Sequence, residues 1–327
     1  LSCSRERATD KLRFTVNSAE IQNGHYHFGS ALHPVVKAKK IAFDSLAFRV
    51  NQREVWGDRA LVLDSAFAHY GVNRLTVSVF YDGGNAYTRH IPFTLLPKRP
   101  PAQWSYTLIR SFPHDRRSFT EGLAFQGGFV YESTGGYGSS KLLCYALGAK
   151  KPDKVYKLDK SYFGEGVALV GDTLYQLTYK SRKAFLYDKR TFERKGTLPY
   201  PPSLREGWGL YYQAPFLLAS DGSSTVCFLD GRLKRQRAIQ VTTDQGLVEH
   251  LNELEVYRGK LYANVWQKPL ILVIDLQTGV VEAEINLESL TKKYGKYGVL
   301  NGITVRGEHL LVTGKNWDKL FEIAVKR

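Results

Sequence analysis

The chain has 327 residues, 43% hydrophobic and 24% charged, a globular mixture that excludes disorder and collagen-like fibres and is long enough for two unequal domains. Mean hydropathy is −0.30 and no apolar run reaches the ~18 residues of a membrane span, so no transmembrane segment is expected. The net charge of +15 is spread along the chain, with 14 Lys and Arg against 8 Asp and Glu in residues 1 to 100 and 32 against 23 in the rest, so it reads as a solvated surface and no nucleic-acid partner is expected.

At the start, Leu1-Ser2-Cys3 is similar to the end of a bacterial lipoprotein signal. It carries the expectation of a lipid anchor at Cys3 and a place in the bacterial cell envelope, periplasmic or at the surface; the plain alternative is an incidental cysteine. Cys3, Cys144 and Cys227 are odd in number and lack CxxC spacing, which implies neither a disulfide framework nor a zinc site. Alternation in Ile41 to Val50 and in Leu75 to Tyr81 marks half-buried strands, and Asp82-Gly83-Gly84-Asn85 turns the second into Tyr87 to Phe93. Residues 1–100 are therefore expected to form a small β-sandwich. Gly71-Val72-Asn73-Arg74-Leu75-Thr76-Val77 resembles the last strands of immunoglobulin-like modules on bacterial surface proteins. His25, His27, His33, His69 and His90 have no metal-ligand spacing, and no metal site is expected. Leu95-Leu96-Pro97-Lys98-Arg99-Pro100-Pro101 breaks helix and strand alike and reads as a linker.

After the linker the chain repeats itself. Thr120-Glu121-Gly122-Leu123 is followed by Gly164-Glu165-Gly166-Val167, Arg205-Glu206-Gly207-Trp208, Leu251-Asn252-Glu253-Leu254 and Leu300-Asn301-Gly302-Ile303, with the key positions 44, 41, 46 and 49 residues apart. A turn and a second apolar run follow each copy. Short strands at this period are the signature of propeller blades, so residues 101–327 are expected to form a five-bladed β-propeller, and the whole chain to be all-β. Tyr106 to Arg110 is expected to help close the ring beside the C-terminal strand.

First strands of blades line the central channel, so Glu121, Glu165, Glu206, Asn252 and Asn301 are expected to converge there. Buried carboxylates and amides are costly unless hydrogen-bonded, hydrated, metal-bound or used. Gly135, Tyr179, Gly222, Trp266 and Lys315 take matching places after the second runs. With Phe119, Phe163, Trp208 and Trp317 they are expected to make an apolar mouth holding a few convergent polar groups. The alternative is that these aromatics are core and the polar groups hold channel water. Gly164-Glu165-Gly166 with Gly171 is no nucleotide loop, because the spacing is wrong and strands follow.

The ordered motifs Phe119-Thr120-Glu121-Gly122-Leu123, Tyr131-Glu132-Ser133-Thr134-Gly135, Phe163-Gly164-Glu165-Gly166, Glu206-Gly207-Trp208-Gly209-Leu210, Asn252-Glu253-Leu254-Glu255, Ala263-Asn264-Val265-Trp266 and Thr313-Gly314-Lys315 resemble the plant-type glutaminyl cyclases, or glutamine cyclotransferases. The resemblance runs from about Tyr106 to the C-terminus. It implies a five-bladed propeller that converts the N-terminal glutamine of a peptide or protein to pyroglutamate with release of ammonia. It implies Glu165 as general acid and base, and Asn252 and Lys315 as the groups that hold the amide and stabilise the oxyanion. Phe163, Trp208 and Trp266 become walls of the site, with Phe119, Tyr179, Trp317 and Glu121 beside them. No cofactor is required under this reading. Two positions depart from the family pattern, which has Gln at Glu121 and Trp at Tyr179. Glu121 either faces Glu165, so that the two titrate together, or turns away and pairs with Lys315. Two rival readings are a calcium-dependent lactonase-like propeller with the ion bound in the channel, and a surface binding module that has lost turnover.

Overall fold

In the computed structural model, residues 12–16, 24–38, 42–56 and 61–327 are described. Cys3, and with it the expected lipid anchor, lies outside them. Regular structure is almost entirely β, and the seven-residue Glu288–Tyr294 is the single α-helix among the described residues. The chain forms two compact units, Leu1–Pro100 with Thr242–Leu247, and Pro101–Val241 with Val248–Arg327. The hairpin Thr242–Leu247 thus leaves the unit in which its neighbours in sequence lie.

The first unit is organised on a five-stranded sheet in the order His25–His27, Asn85–Leu96, Gly71–Tyr81, Ser45–Val50 and Arg53–Trp56. The long hairpin pairs Gly71 with Leu95 through to Tyr81 with Asn85. Its turn, Asp82-Gly83-Gly84, has positive φ throughout, 48°, 68° and 140°, which glycine adopts without steric cost. Alternation buries Leu75, Val77 and Val79 against Phe48, Val50, Phe93 and Leu95. Ala31–Leu32 pairs with Leu61–Val62, and Leu12–Val16 with Pro34–Ala38, as two further small sheets. Buried Asn73 accepts from Asn51 Nδ2 and the His69 N–H and donates to the carbonyls of His69 and Gly71, so this polar group costs little. His27 and His90 have local partners, the Pro97 carbonyl and Thr76.

The second unit is built from repeated antiparallel four-stranded sheets. The first runs Thr120–Gln126, Phe129–Thr134, Lys141–Ala146 and Lys154–Lys157; the second Gly164–Val170, Thr173–Thr178, Lys183–Asp188 and Arg194–Pro199; the third Leu210–Gln213, Phe216–Ser220, Thr225–Leu229 and Arg235–Gln240. The fourth, Leu251–Tyr257 to Val281–Asn286, and the fifth, Leu300–Arg306 to Lys319–Lys326, share one more strand, Ala102–Pro113, and so make an eight-stranded sheet. Ala102–Trp104 lies parallel to Ala283–Ile285, and Ser105–Pro113 lies antiparallel to Lys319–Lys326. Buried Glu322 fastens this junction, accepting two bonds from Arg306 at 2.8 and 2.9 Å and one from His309 at 2.7 Å, with Arg110 Nε 3.1 Å away.

First strands touch in cyclic order: Thr120–Gln126 meets Gly164–Val170, then Leu210–Gln213, Leu251–Tyr257 and Leu300–Arg306 follow, and the last returns to the first. Second and third strands are covered on both faces, so they read as apolar runs rather than alternating ones, as in Leu217-Leu218-Ala219 and Ile271-Leu272-Val273-Ile274. Truncating one of these leucines or isoleucines to Ala would cost roughly 2–5 kcal/mol. Fourth strands such as Arg194–Pro199 face water along one edge and alternate accordingly.

Two local features aim residues at one end of the ring. The pairing of first and second strands slips at Thr120/Gly122, Gly164/Val167, Leu251/Leu254 and Leu300/Ile303, so Glu121, Glu165, Asn252 and Asn301 each sit in a bulge that re-aims the side chain. Beyond each bulge one further backbone bond holds the loop: Gly135 N–H to Phe119 O, Tyr179 to Phe163, Trp266 to His250 and Lys315 to Val299, at 2.8 to 3.0 Å. The residue two before each ring position is thereby locked opposite the residue that follows the second strand. The glycine after Glu165 has a packing reason. A Cβ on Gly166 would lie 2.5 Å from both Leu210 N and Trp208 O, so only glycine lets neighbouring inner strands approach this closely.

Candidate active site

At this end of the ring Glu121, Glu165 and Lys315 come together. Glu121 Oε1 accepts from Lys315 Nζ at 2.7 Å, and Oε2 accepts from Asn301 Nδ2 at 3.2 Å. Glu165 shares a hydrogen bond with Glu121. The two arrangements expected as alternatives for Glu121, facing Glu165 or pairing with Lys315, therefore coexist. Burial pushes the Glu165 carboxyl well above the usual range and the charge of Glu121 pushes it further, against the pull of Lys315. Burial also raises Glu121, to about 7, while Lys315 holds it down. Burial and the neighbouring carboxyl thus favour the protonated form of Glu165, while Lys315 favours the charged form of Glu121.

Aromatic rings surround this group. Phe163 meets Phe119 edge-on at 6.2 Å, Tyr137 at 5.5 Å and Tyr179 at 5.7 Å, and Lys315 Nζ lies 4.6 Å from the Phe119 ring centre. Trp208 meets Trp266 edge-on at 5.9 Å, and the Trp208 indole N–H donates to Glu206 at 3.1 Å. Glycines make room for these rings. A Cβ on Gly135 would lie 2.2 Å from Phe163, and one on Gly222 would lie 2.7 Å from Trp208. Trp266 is 37% exposed and Tyr137 59%, large apolar surfaces that ordinary packing leaves uncovered here.

Asn252 is buried, and its side-chain Oδ1 has no hydrogen-bond partner. Glu253 Oε1 and Asn301 Oδ1 are also buried without one. Among the described residues no group of three or more His, Cys, Asp or Glu side chains is arranged to hold a metal ion.

Hydrogen bonds through His114 and Glu132 tie the loop bearing Lys315 to the strand bearing Glu121. His114 Nδ1 lies 2.7 Å from the Trp317 carbonyl and its Nε2 3.1 Å from Glu132 Oε1. Glu132 also accepts from Thr120 Oγ1 at 2.7 Å and from the Tyr145 hydroxyl at 2.8 Å. Burial works against both charges; even so, the contact with Glu132 raises His114, and the bonds from His114, Thr120 and Tyr145 hold Glu132 below its usual value.

The sequence model of the glutamine cyclotransferase family matches residues 86–325. The chain belongs to this family. A glutaminyl-peptide cyclotransferase of Arabidopsis thaliana is 35% identical over 229 residues, 67% of this chain and 71% of the plant protein. The crystal structure of Myxococcus xanthus glutaminyl cyclase superposes with a TM-score of 0.64 at 34% identity, covering 69% of this chain and 98% of that one. The match to the glutamine cyclotransferase family begins before the motifs, within the strand Asn85–Leu96.

One expected site residue is placed elsewhere. Trp317 does not line the mouth: it is fully buried, its indole N–H donates to the Gly298 carbonyl at 2.8 Å, and its ring packs on Tyr294 and Phe321. It follows Lys315 by two residues, but Asn316 has a positive φ of 60° and turns the chain inward, a bend that spacing alone does not reveal. Asn301, expected at the repeated ring position, meets Glu121 there. Two contributors are not expected from sequence. Tyr137 stands in Gly135-Gly136-Tyr137-Gly138, where an aromatic among glycines is a weak hint. His250, 5.8 Å from the Trp266 ring, lies two residues before the ring position, matching Phe119 and Phe163.

Proposed function

We propose that this mouth converts the N-terminal glutaminyl residue of a peptide or protein to pyroglutamate and ammonia, with Glu165 as acid and base. The observation that carries the reading is a pair of buried carboxyls, Glu165 hydrogen-bonded to Glu121, with Lys315 Nζ 2.7 Å from Glu121 Oε1. The α-amine attacks the side-chain carboxamide carbon, a new C–N bond forms, and the bond to the amide nitrogen breaks. The amine loses one proton and the departing nitrogen gains one, so a carboxyl that delivers the second and accepts the first ends unchanged. Glu121 buffers this exchange through its bond to Glu165. Lys315 supplies positive charge for the developing oxyanion, and Asn252 offers an unpartnered amide oxygen to the carboxamide N–H. Phe119, Phe163, Tyr179, Trp208 and Trp266 wall the flexible side chain into the folded conformer that attack requires.

The cyclic contact of five first strands supports reading the second unit as a five-bladed β-propeller. The five-stranded sheet with its buried alternating face supports an immunoglobulin-like sandwich for the first. For the channel calcium ion of the rival reading, the supporting feature is the set of unpartnered oxygens on Asn252, Glu253 and Asn301. Cyclisation that survives a chelator separates such an ion from the reaction.

Incubation with a Gln-initiated peptide tests the function directly. The peptide is expected to lose the mass of ammonia with the wild-type protein and to stay intact with Glu165→Gln. An unchanged peptide in the presence of folded wild-type protein would overturn the reading in favour of a binding module without turnover.

A further inference from the structure

A cavity of the second unit, about 480 Å³, is not lined by Glu121 or Glu165. It runs beside the first sheet, walled by the connection His114 to Ser118 and by the strands Lys141–Ala146 and Lys154–Lys157. Its lining carries six Lys and Arg side chains against two carboxylates. Both carboxylates are already satisfied: Asp115 sits in the fork of Arg117, and Glu132 is enclosed by His114, Thr120 and Tyr145. Arg116 is committed as well, to Asp318 at 2.8 Å. Lys141, Lys150, Lys151 and Lys157 remain, and none of them pairs with a carboxylate among the described residues. Beneath them Leu143, Tyr145 and Val155 give an apolar floor.

The cavity adjoins the mouth at two points. Ser118 lines it and the next residue, Phe119, lines the mouth; Thr134 lines it and the next residue, Gly135, lies under Phe163 and Glu121. Consecutive Cα atoms are about 3.8 Å apart, so at these two points one backbone step separates the cavity from the mouth. The cavity follows the six-residue strand Lys141–Ala146, and an extended peptide of about the same number of residues, at ~3.3 Å each, covers that length.

We infer that this groove receives the segment downstream of the glutaminyl residue in the substrate, and that it selects peptides with acidic side chains there. The inference rests on the cyclisation reading above. Unpaired ammonium groups over an apolar floor suit carboxylates on a short extended chain, and the sealed Glu132 offers no repulsion.

The test compares cyclisation of Gln-initiated octapeptides carrying Glu or Ser at positions three to seven, with glutaminyl-glycine amide as the short substrate. Wild type is expected to favour the acidic peptide in kcat/KM by about tenfold at low salt, mainly through KM, as four exposed ion pairs of ordinary strength would give, and less as salt rises. Lys150→Glu, Lys151→Glu and Lys157→Glu together should abolish or invert this preference and leave turnover of the short substrate unchanged. Equal kcat/KM for both octapeptides in wild type, or a preference that survives the triple reversal, overturns the inference. Fluorescence anisotropy of the labelled acidic octapeptide separates the two proposals. If the short substrate is not cyclised, yet the peptide binds wild type and not the triple variant, the cyclisation reading has failed and the groove stands. A single-stranded oligonucleotide that displaces the acidic peptide and binds more tightly would overturn the peptide assignment.

Discussion

Two pairs of carboxyls sit on the inner strands of the ring, Glu121 and Glu165 at the mouth and Glu253 and Glu255 deeper in, and they are held in opposite ways. Burial raises all four. Their partners differ. Glu253 accepts from the backbone N–H groups of Leu123 and Ile303, and Glu255 from those of Val256 and Val305 and from the hydroxyls of Thr304 and Tyr211, so these side chains stitch neighbouring strands together with no charged partner among the described residues. Glu121 and Glu165 bond to side chains and to each other, beside uncovered aromatic rings. A carboxyl pinned by backbone amides of neighbouring strands has little freedom to exchange a proton with a ligand, whereas one hydrogen-bonded to a second carboxyl beside a cation does. Depth of burial is thus a poor guide to chemistry, and the identity of the partner is a good one.

The comparison breaks most sharply on isosteric amides. Glu165→Gln should lower kcat for cyclisation by about 10²-fold or more, the usual contribution of a positioned acid and base, and leave the thermal midpoint nearly unchanged. Glu253→Gln should leave kcat within about twofold, because an amide oxygen can still accept the same two N–H bonds. Equal losses in the two variants, read in one peptide assay, would erase the distinction.

Removing the cation tests the next layer. Lys315→Met strands a buried carboxylate, which costs about 3–5 kcal/mol and should lower Tm by on the order of 10 °C. Adding Glu121→Gln to that variant should recover most of the stability but not the activity. A double variant no more stable than Lys315→Met would mean that the pair contributes nothing to the fold.

The single variant Glu121→Gln bears on the mouth alone. Loss of its charge should let Glu165 ionise more easily and move the carboxyl limb of the kcat/KM profile to lower pH by on the order of one unit. A limb that overlays the wild type's, or moves upward, would show that the charge of Glu121 does not bear on Glu165.

The smallest effect belongs to the deep pair. Glu255 is raised to about 7 in the folded chain. Its contribution to stability is therefore fully present below the ordinary glutamate value and is lost as pH rises through about 7. Wild-type Tm should fall by a few degrees over that window, and Glu255→Gln should flatten this part of the curve. Differential scanning calorimetry of both proteins from pH 4 to 8 reads the difference.

Much of this could be read before folding, because it is local. The Glu-Gly and Asn-Gly steps mark positions where one residue bulges toward the axis and the next must lack a side chain, as the contacts of Gly166 with Leu210 and Trp208 show. Their recurrence announced first strands in cyclic contact, on which Glu121 meets Glu165 and Asn301. Apolar second and third runs announced strands covered on both faces. What stayed hidden depends on groups distant in the chain. Trp317 is turned into the core by the backbone of Asn316, and Thr242–Leu247 joins the first unit although its neighbours belong to the second. Glu322 gathers Arg110, Arg306 and His309 at the ring closure without any motif to mark it.

Sequence by itself determined the period, the residue types on the axis and the family, since each is written in short motifs whose steric demands act between near neighbours. Only the tertiary structure decided that Glu121 meets Glu165 and Lys315 at once. That contact joins residues up to 194 positions apart, and it shifts the proton affinity of both carboxyls. Charge state in a buried site is a property of distances, and distances between remote residues exist only after the ring has closed.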